Sequence, residues 1–169
     1  MRTGVALGSN LGDRLANLRA ARKAIVDLAG VEPPILSSAI YETEPVDCEP
    51  GAEEFLNAVL EFDYESDPVN LLKKLTEIER ALGRPRDRAR NISRPIDIDL
   101  LYVGEMEIDT AEVQLPHPRM HSRRFVLQPL ADIRPDLVLP REAKTVRELL
   151  ARLDDSGKVV GLTSDWQSR

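Results

Sequence analysis

Apolar and polar positions along the chain alternate between two periods. Val5-Ala6-Leu7 predicts a short first strand, and Gly8-Ser9-Asn10-Leu11-Gly12-Asp13 predicts a turn. That turn is glycine-rich and precedes a helix; a tight β–α connection is favoured over a phosphate cradle. Leu15, Leu18, Ala21, Ile25 and Leu28 then follow helical spacing up to Gly30. Ile35 to Thr43 reads as a second strand and residues 43–53 as a loop. Over Phe55 to Tyr64 the period is two. Leu56, Ala58, Leu60, Phe62 and Tyr64 share one face, and Phe55 and Asn57 the other. Asp67-Pro68 has the form of a helix N-cap followed by proline in the first turn. Leu72, Leu75, Ile78 and Leu82 give that helix its apolar stripe, and Gly83 closes it.

An arginine-rich loop, 84–94, leads into a fourth strand from Ile96 to Val103. Beyond it lie a short strand at 113–115, a turn of helix over 123–130, and a capping box at Thr145–Glu148 that starts a last helix through Leu153. Residues 157–169 show no periodicity. The predicted order β-α-β-β-α-β implies an α+β fold, a ferredoxin-like sandwich with an antiparallel sheet and helices packed on one face. The other face is then open to ligands. One domain is expected over 1–156, with 157–169 a tail of unclear structure.

Composition narrows the class. The chain has 169 residues, 42% hydrophobic and 31% charged, with no apolar run of membrane-spanning length. The apolar stretch near Met1 is too short for a secretory signal, and Cys48 is the one cysteine, so neither a disulfide framework nor a thiolate metal cluster is expected. A cytoplasmic monomer is the simplest expectation, with no membrane or nucleic-acid partner. The net charge of −6 argues against a broad nucleic-acid surface. Yet five arginines and one acid fall between Arg84 and Arg94, and three arginines, two histidines and no acid between His117 and Arg124. Two such clusters in an acidic chain point to a small anion, against the alternative of solvated charged loops.

Ile96-Asp97-Ile98-Asp99-Leu100 alternates strictly. On a strand the two carboxylates share a face, roughly 7 Å apart at ~3.3 Å per residue. Like charges so placed need compensation, either from Arg94 and its neighbours on an ordinary polar face or from a divalent metal. Mg²⁺ takes one or two carboxylates and fills its remaining positions with water and phosphate oxygens. Metal plus arginine is what polyphosphate transfer requires. No Walker loop or protein-kinase motif set is present. His117 and His121 lack the further ligands a zinc site needs.

The string Ser93-Arg94-Pro95-Ile96-Asp97-Ile98-Asp99 resembles the signature of the 6-hydroxymethyl-7,8-dihydropterin pyrophosphokinases. So, in the family's order, do 7–14, 41–46 with 55–59, 83–86 and 115–130. The resemblance implies diphosphate transfer from ATP to a pterin alcohol in folate biosynthesis, with two Mg²⁺ ions. It implies that Asp97 and Asp99 bind both metals and that Arg84 and Arg94 are catalytic. It places Arg86, Arg94, Leu100, His117 and Arg123 on ATP. On the pterin side it places Thr43, Val46, Phe55, Asn57 and Phe125, the two phenylalanines sandwiching the ring. Asn57 suits a heterocycle edge because its amide both donates and accepts. The loop 84–94 is expected to close over ATP. Departures from the family pattern fall at Asp47, Glu53-Glu54, Asn91 and Pro118. A catalytically silent binding module and a small RNA-binding domain are the alternatives. The retained arginines and aspartates oppose the first, and few aromatics with an acidic total oppose the second.

Overall fold

The computed structural model describes residues 1–46, 48–85, 92–154 and 157–167. Its centre is an antiparallel sheet of β1 (Arg2–Ser9), β2 (Val31–Ser37), β3 (Ile40–Thr43), β4 (Phe55–Tyr64), β5 (Asp97–Val103) and β8 (Val159–Thr163), with β6 (Ile108–Asp109) and β7 (Gln114–Leu115) forming a separate small hairpin. The strand order is β5-β1-β4-β3-β8, and β2 pairs with β4 beside β3.

The single strand expected over 35–43 is two strands. Both pair with β4, β2 along its C-terminal half and β3 along its N-terminal half. Ser38 makes the joint: its backbone N–H donates to Val59 O at 3.0 Å, and its hydroxyl accepts from Val59 N at 2.9 Å. A side chain thus takes the place of a ladder bond where the strand bends. Residues 159–163, in which no period was visible, add the edge strand β8. An edge strand of one apolar, half-exposed turn carries no alternation strong enough to read.

Helices α1 (Arg14–Val26) and α2 (Pro68–Ala81) cover one face. Asp13 caps α1 by accepting from Ala16 N, and Asp67 caps α2 by accepting from Asn70 N. Leu18, Ala21 and Ile25 of α1 and Leu71, Leu75 and Ile78 of α2 bury against Val5, Leu7, Leu60 and Phe62. Leu71, rather than Leu72, is the fully buried position of that stripe, because the helix turns its 71–75–78 edge to the sheet.

The second face is not wholly open. Helices α3 (Arg124–Ile133) and α4 (Val146–Ala151) cover one end of it, packing Val126, Leu127, Leu130 and Val146 on Val59, Leu101 and Tyr102. A bulge in β5 makes this possible. Val5 faces Leu100 but Gly4 faces Tyr102, so Leu101 is an extra residue. Leu101 and Tyr102 therefore both join the second core, while Asp97 and Asp99 upstream face the uncovered end. Gly4 is required here, since a Cβ would lie 2.3 Å from the Tyr102 ring. Beneath α3 the fully buried Glu61 accepts from Arg2 at 2.6 Å, Arg134 at 2.8 Å and the Tyr102 hydroxyl, so that charge is compensated.

Among the described residues, no helix is long and apolar enough to cross a membrane.

Candidate active site

The uncovered end of the second face, together with the outer edge of β5, forms a cavity of about 940 Å³. Asp97 and Asp99 line it from β5. Arg84, just past α2, donates to Asp97 Oδ1 at 2.5 Å, and Arg94 donates to Asp97 Oδ2 at 3.1 Å. Asp99 has a looser partner, Arg123 at 3.8 Å. Burial in the cleft and the Asp97 charge push the Asp99 carboxyl up to about 6, against the pull of Arg123, Arg84 and Arg94.

The compensation expected from neighbouring arginines is therefore spent on Asp97. Asp99 is left with an unmet demand for positive charge. The pair fits an ion that needs few protein ligands, because among the described residues no group of three or more His, Cys, Asp or Glu side chains could hold a metal. Mg²⁺ has that habit; zinc does not.

Each arginine is held from behind. Glu79, almost fully buried on α2, accepts from Arg84 and also from the backbone N–H of Ile98 at 2.7 Å. One carboxylate thus fixes both an arginine and the start of the aspartate-bearing strand. Asn10, fully buried in the first turn, exchanges bonds with Arg94: its Oδ1 accepts from Arg94 N at 2.8 Å, and its N–H donates to Arg94 O at 3.2 Å. Ser93 donates through its hydroxyl (2.6 Å) and its N–H (2.9 Å) to Glu49. These bonds draw Glu49 below the usual carboxylate range and tie the 43–54 loop to the strand entry.

His117 lines the same cavity. Its Nδ1 accepts from Arg119 N at 3.2 Å, so the ring proton is on Nε2. Its own N–H donates to Leu101 O at 2.7 Å. Burial, with Arg123 and Arg119 adding to it, lowers the imidazole to about 4. The ring is neutral at pH 7 and offers one N–H donor.

At the other end of the cavity stand Thr43, Val46, Phe55, Asn57 and Phe125. Asn57 Nδ2 donates to Thr43 Oγ1 at 2.6 Å across the β3–β4 pair. Gly8 leaves room for this edge: a Cβ there would meet Asn57 Oδ1 at 3.0 Å. Phe125 opens α3, with the Arg123 guanidinium 5.4 Å from its ring centre.

The structure thus brings Thr43, Val46, Phe55, Asn57, Arg84, Arg94, Asp97, Asp99, Leu100, His117, Arg123 and Phe125 to one cavity. Arg86, Asp47 and Asn91 lie outside the described residues, as does most of the loop expected to close. Sequence pattern gives no individual role to three residues that the structure singles out: Glu79, Asn10 and Arg119. Glu79 did leave a signal, a charge four residues after Leu75 on the buried side of an amphipathic helix. Asn10 left only its place in a turn.

The model of the 7,8-dihydro-6-hydroxymethylpterin-pyrophosphokinase (HPPK) family matches residues 4–135. The 2-amino-4-hydroxy-6-hydroxymethyldihydropteridine pyrophosphokinase of Methylorubrum extorquens is 43% identical over 151 residues, covering 89% of this chain and 92% of the relative. The protein of the same name from Bacillus subtilis is 43% identical over 129 residues, covering 76% of this chain and 75% of the relative. In fold, the chain is similar to the wild-type HPPK-DHPS of Plasmodium falciparum with pterin and p-hydroxybenzoate, at a TM-score of 0.67 and 16% identity, covering 89% of this chain and 42% of that one. The chain belongs to the 7,8-dihydro-6-hydroxymethylpterin-pyrophosphokinase family and has that family's activity, the transfer of pyrophosphate to hydroxymethylpterin.

Proposed function

We propose that the diphosphate donor is ATP, that Mg²⁺ is required, and that the cavity joins a nucleotide end at Arg84, Arg94, His117 and Arg123 to a pterin end at Phe55, Asn57 and Phe125. The observation that carries this reading is the unequal pairing of Asp97 and Asp99. Three cations surround two carboxylates, yet the second still titrates near 6. A half-buried acid left in that condition is suited to a cation that arrives with its substrate.

Bound at Asp97 and Asp99, two Mg²⁺ ions would neutralise phosphate oxygens and the charge that develops on the leaving group. The protein supplies the rest. Phe55 and Phe125 stack the flat heterocycle, and Asn57 with Thr43 and the backbone near Val46 reads its edge. The ring so fixed directs its hydroxymethyl oxygen at the β-phosphorus. The new O–Pβ bond forms as the bond from Pβ to the α–β bridging oxygen breaks. Electrons pass to AMP, and the hydroxyl proton leaves to solvent. Arg84 and Arg94 neutralise the charge that moves, and the Nε2–H of neutral His117 donates to a phosphate oxygen. No side chain in the cavity is required as general base, because positioning and electrostatics dominate phosphoryl transfer. Leu100 forms an apolar part of the nucleotide wall. Arg86 is assigned to ATP by the resemblance alone.

The strand order, with all pairs antiparallel and α1 and α2 on one face, supports a ferredoxin-like description in which β2 and β3 count as one strand. We read the protein as a cytoplasmic monomer of one domain.

The test is phosphorus NMR of a mixture of the protein, Mg²⁺, ATP and 6-hydroxymethyl-7,8-dihydropterin. AMP is the expected nucleotide product, and none should form without Mg²⁺. ADP as product, or equal turnover in EDTA, would overturn the reading.

A further inference from the structure

Four described arginines reach the cavity wall, and three of them are engaged. Arg84 meets Asp97 and Glu79, Arg94 meets Asp97, and Arg123 meets Asp99. Arg119 also lines the cavity, is exposed, and has no carboxylate partner among the described residues. The same wall carries five carboxylates, since Glu44 and Glu112 join Glu79, Asp97 and Asp99. His117 adds no charge at neutral pH. The described wall thus sets four arginines against five carboxylates, and Arg119 is the one of those four with no carboxylate to neutralise.

The backbone holds Arg119 in place. Its N–H donates to His117 Nδ1 at 3.2 Å, and its carbonyl accepts from the Ser122 hydroxyl at 3.1 Å and the Ser122 N–H at 3.3 Å. The residue stands at the head of the 3-10 turn Met120–Ser122, two positions beyond the histidine whose ring proton it orients. A guanidinium fixed at its root, free at its tip and next to a neutral imidazole donor can form a two-pronged contact with a phosphate.

We infer that Arg119 is a nucleotide-binding residue, a cation that meets the polyphosphate of the incoming nucleotide while Arg84, Arg94 and Arg123 are still paired with carboxylates. This rests on the diphosphate-transfer reading and extends it to an arginine of the His117–Arg124 cluster that the family resemblance leaves without an individual role. Two functions converge on one residue. The main chain sets the His117 tautomer, and the side chain provides the unspent charge.

The test is titration calorimetry of Mg-ATP and, separately, of the pterin, on the wild type, R119Q, R119K and the control R147Q. Arg147 pairs with Asp136 on the far helix α4, so R147Q makes the same change in net charge away from the cavity. R119Q should weaken ATP binding about 10-fold, as loss of a charge-assisted hydrogen bond does. R119K should fall between R119Q and wild type, and pterin affinity and melting temperature should stay at wild-type values. ATP affinity in R119Q within about twofold of wild type, or an equal loss in R147Q, would overturn the inference. Failure of the diphosphate-transfer reading shows elsewhere, as absence of AMP from the wild type, and leaves the affinity ratio readable.

Discussion

Arg84 and Asp97 are joined at 2.5 Å, and the same guanidinium is held by Glu79. On the proposed mechanism, this arginine rests on two carboxylates before it meets phosphate. Glu79 also holds the N–H of Ile98, so its carboxylate sets strand and arginine together. Glu79→Gln keeps an acceptor but removes the charge. It should lower kcat by about 10-fold or more and destabilise the protein by about 1–3 kcal/mol, the range for weakening a buried charged hydrogen bond. Urea denaturation and steady-state kinetics check this. Wild-type values in both would show that Glu79 neither positions Arg84 nor anchors β5.

Asp99 gives a prediction of stability against pH. Its folded carboxyl titrates near 6, above the ordinary 3.8, so the fold prefers it protonated. The penalty is absent below about pH 4 and grows as pH rises through 6. Metal-free Asp99→Asn should therefore be more stable than wild type at pH 7, and the gain should vanish near pH 4. The side chain is 37% exposed, so after discount for solvent screening the gain is about 1 kcal/mol. The same variant should lose Mg²⁺-dependent turnover. A less stable variant at pH 7 in EDTA would contradict the electrostatic picture.

His117 has the opposite sign. Its folded value near 4 lies below the ordinary 6.5, so the unfolded chain binds the proton more readily. Stability from this group is full above about pH 6.5 and falls as pH drops toward 4. Nitrogen NMR should show a neutral ring carrying its proton on Nε2 down to about pH 4. His117→Gln should lessen the acid sensitivity between those limits. A ring that titrates near 6.5 would remove the neutral donor from the mechanism.

Asn57 tests the other end of the cavity. Its Nδ2 donates to Thr43 Oγ1, and the buried residue lines the cavity beside Phe55. Asn57→Ala should weaken pterin binding by about 10- to 100-fold, the cost of unpaired edge groups, and leave ATP affinity near wild type. Equal losses for both ligands would mean that the change disturbs the sheet rather than the pterin subsite.

Much of the sheet could be read from period alone. Asp97 and Asp99 alternate with core residues on β5, and the facing of Phe55 and Asn57 follows from Leu56 and Ala58 pointing inward. What period cannot show is a break in it. The bulge at Leu101 puts two neighbours on one face, and the bend at Ser38 divides one strand into two. The coverage of the second face by α3 and α4 followed from those breaks. Residues that act through backbone groups are equally silent. Asn10 grips the main chain of Arg94, 84 residues away, and no local pattern marks such a pair. The cavity residues were legible because carboxylates, arginines and aromatics of the expected kinds stand in the collinear blocks, and the described ones line one cavity.

Diphosphate transfer is tested most directly by following one oxygen. ATP labelled with oxygen-18 at the α–β bridge is turned over with the pterin, and the isotope shift is read by phosphorus NMR. Attack at the β-phosphorus leaves the label in AMP and none in the pterin diphosphate. Label in ADP, or release of free pyrophosphate with a pterin–AMP ester, would contradict it.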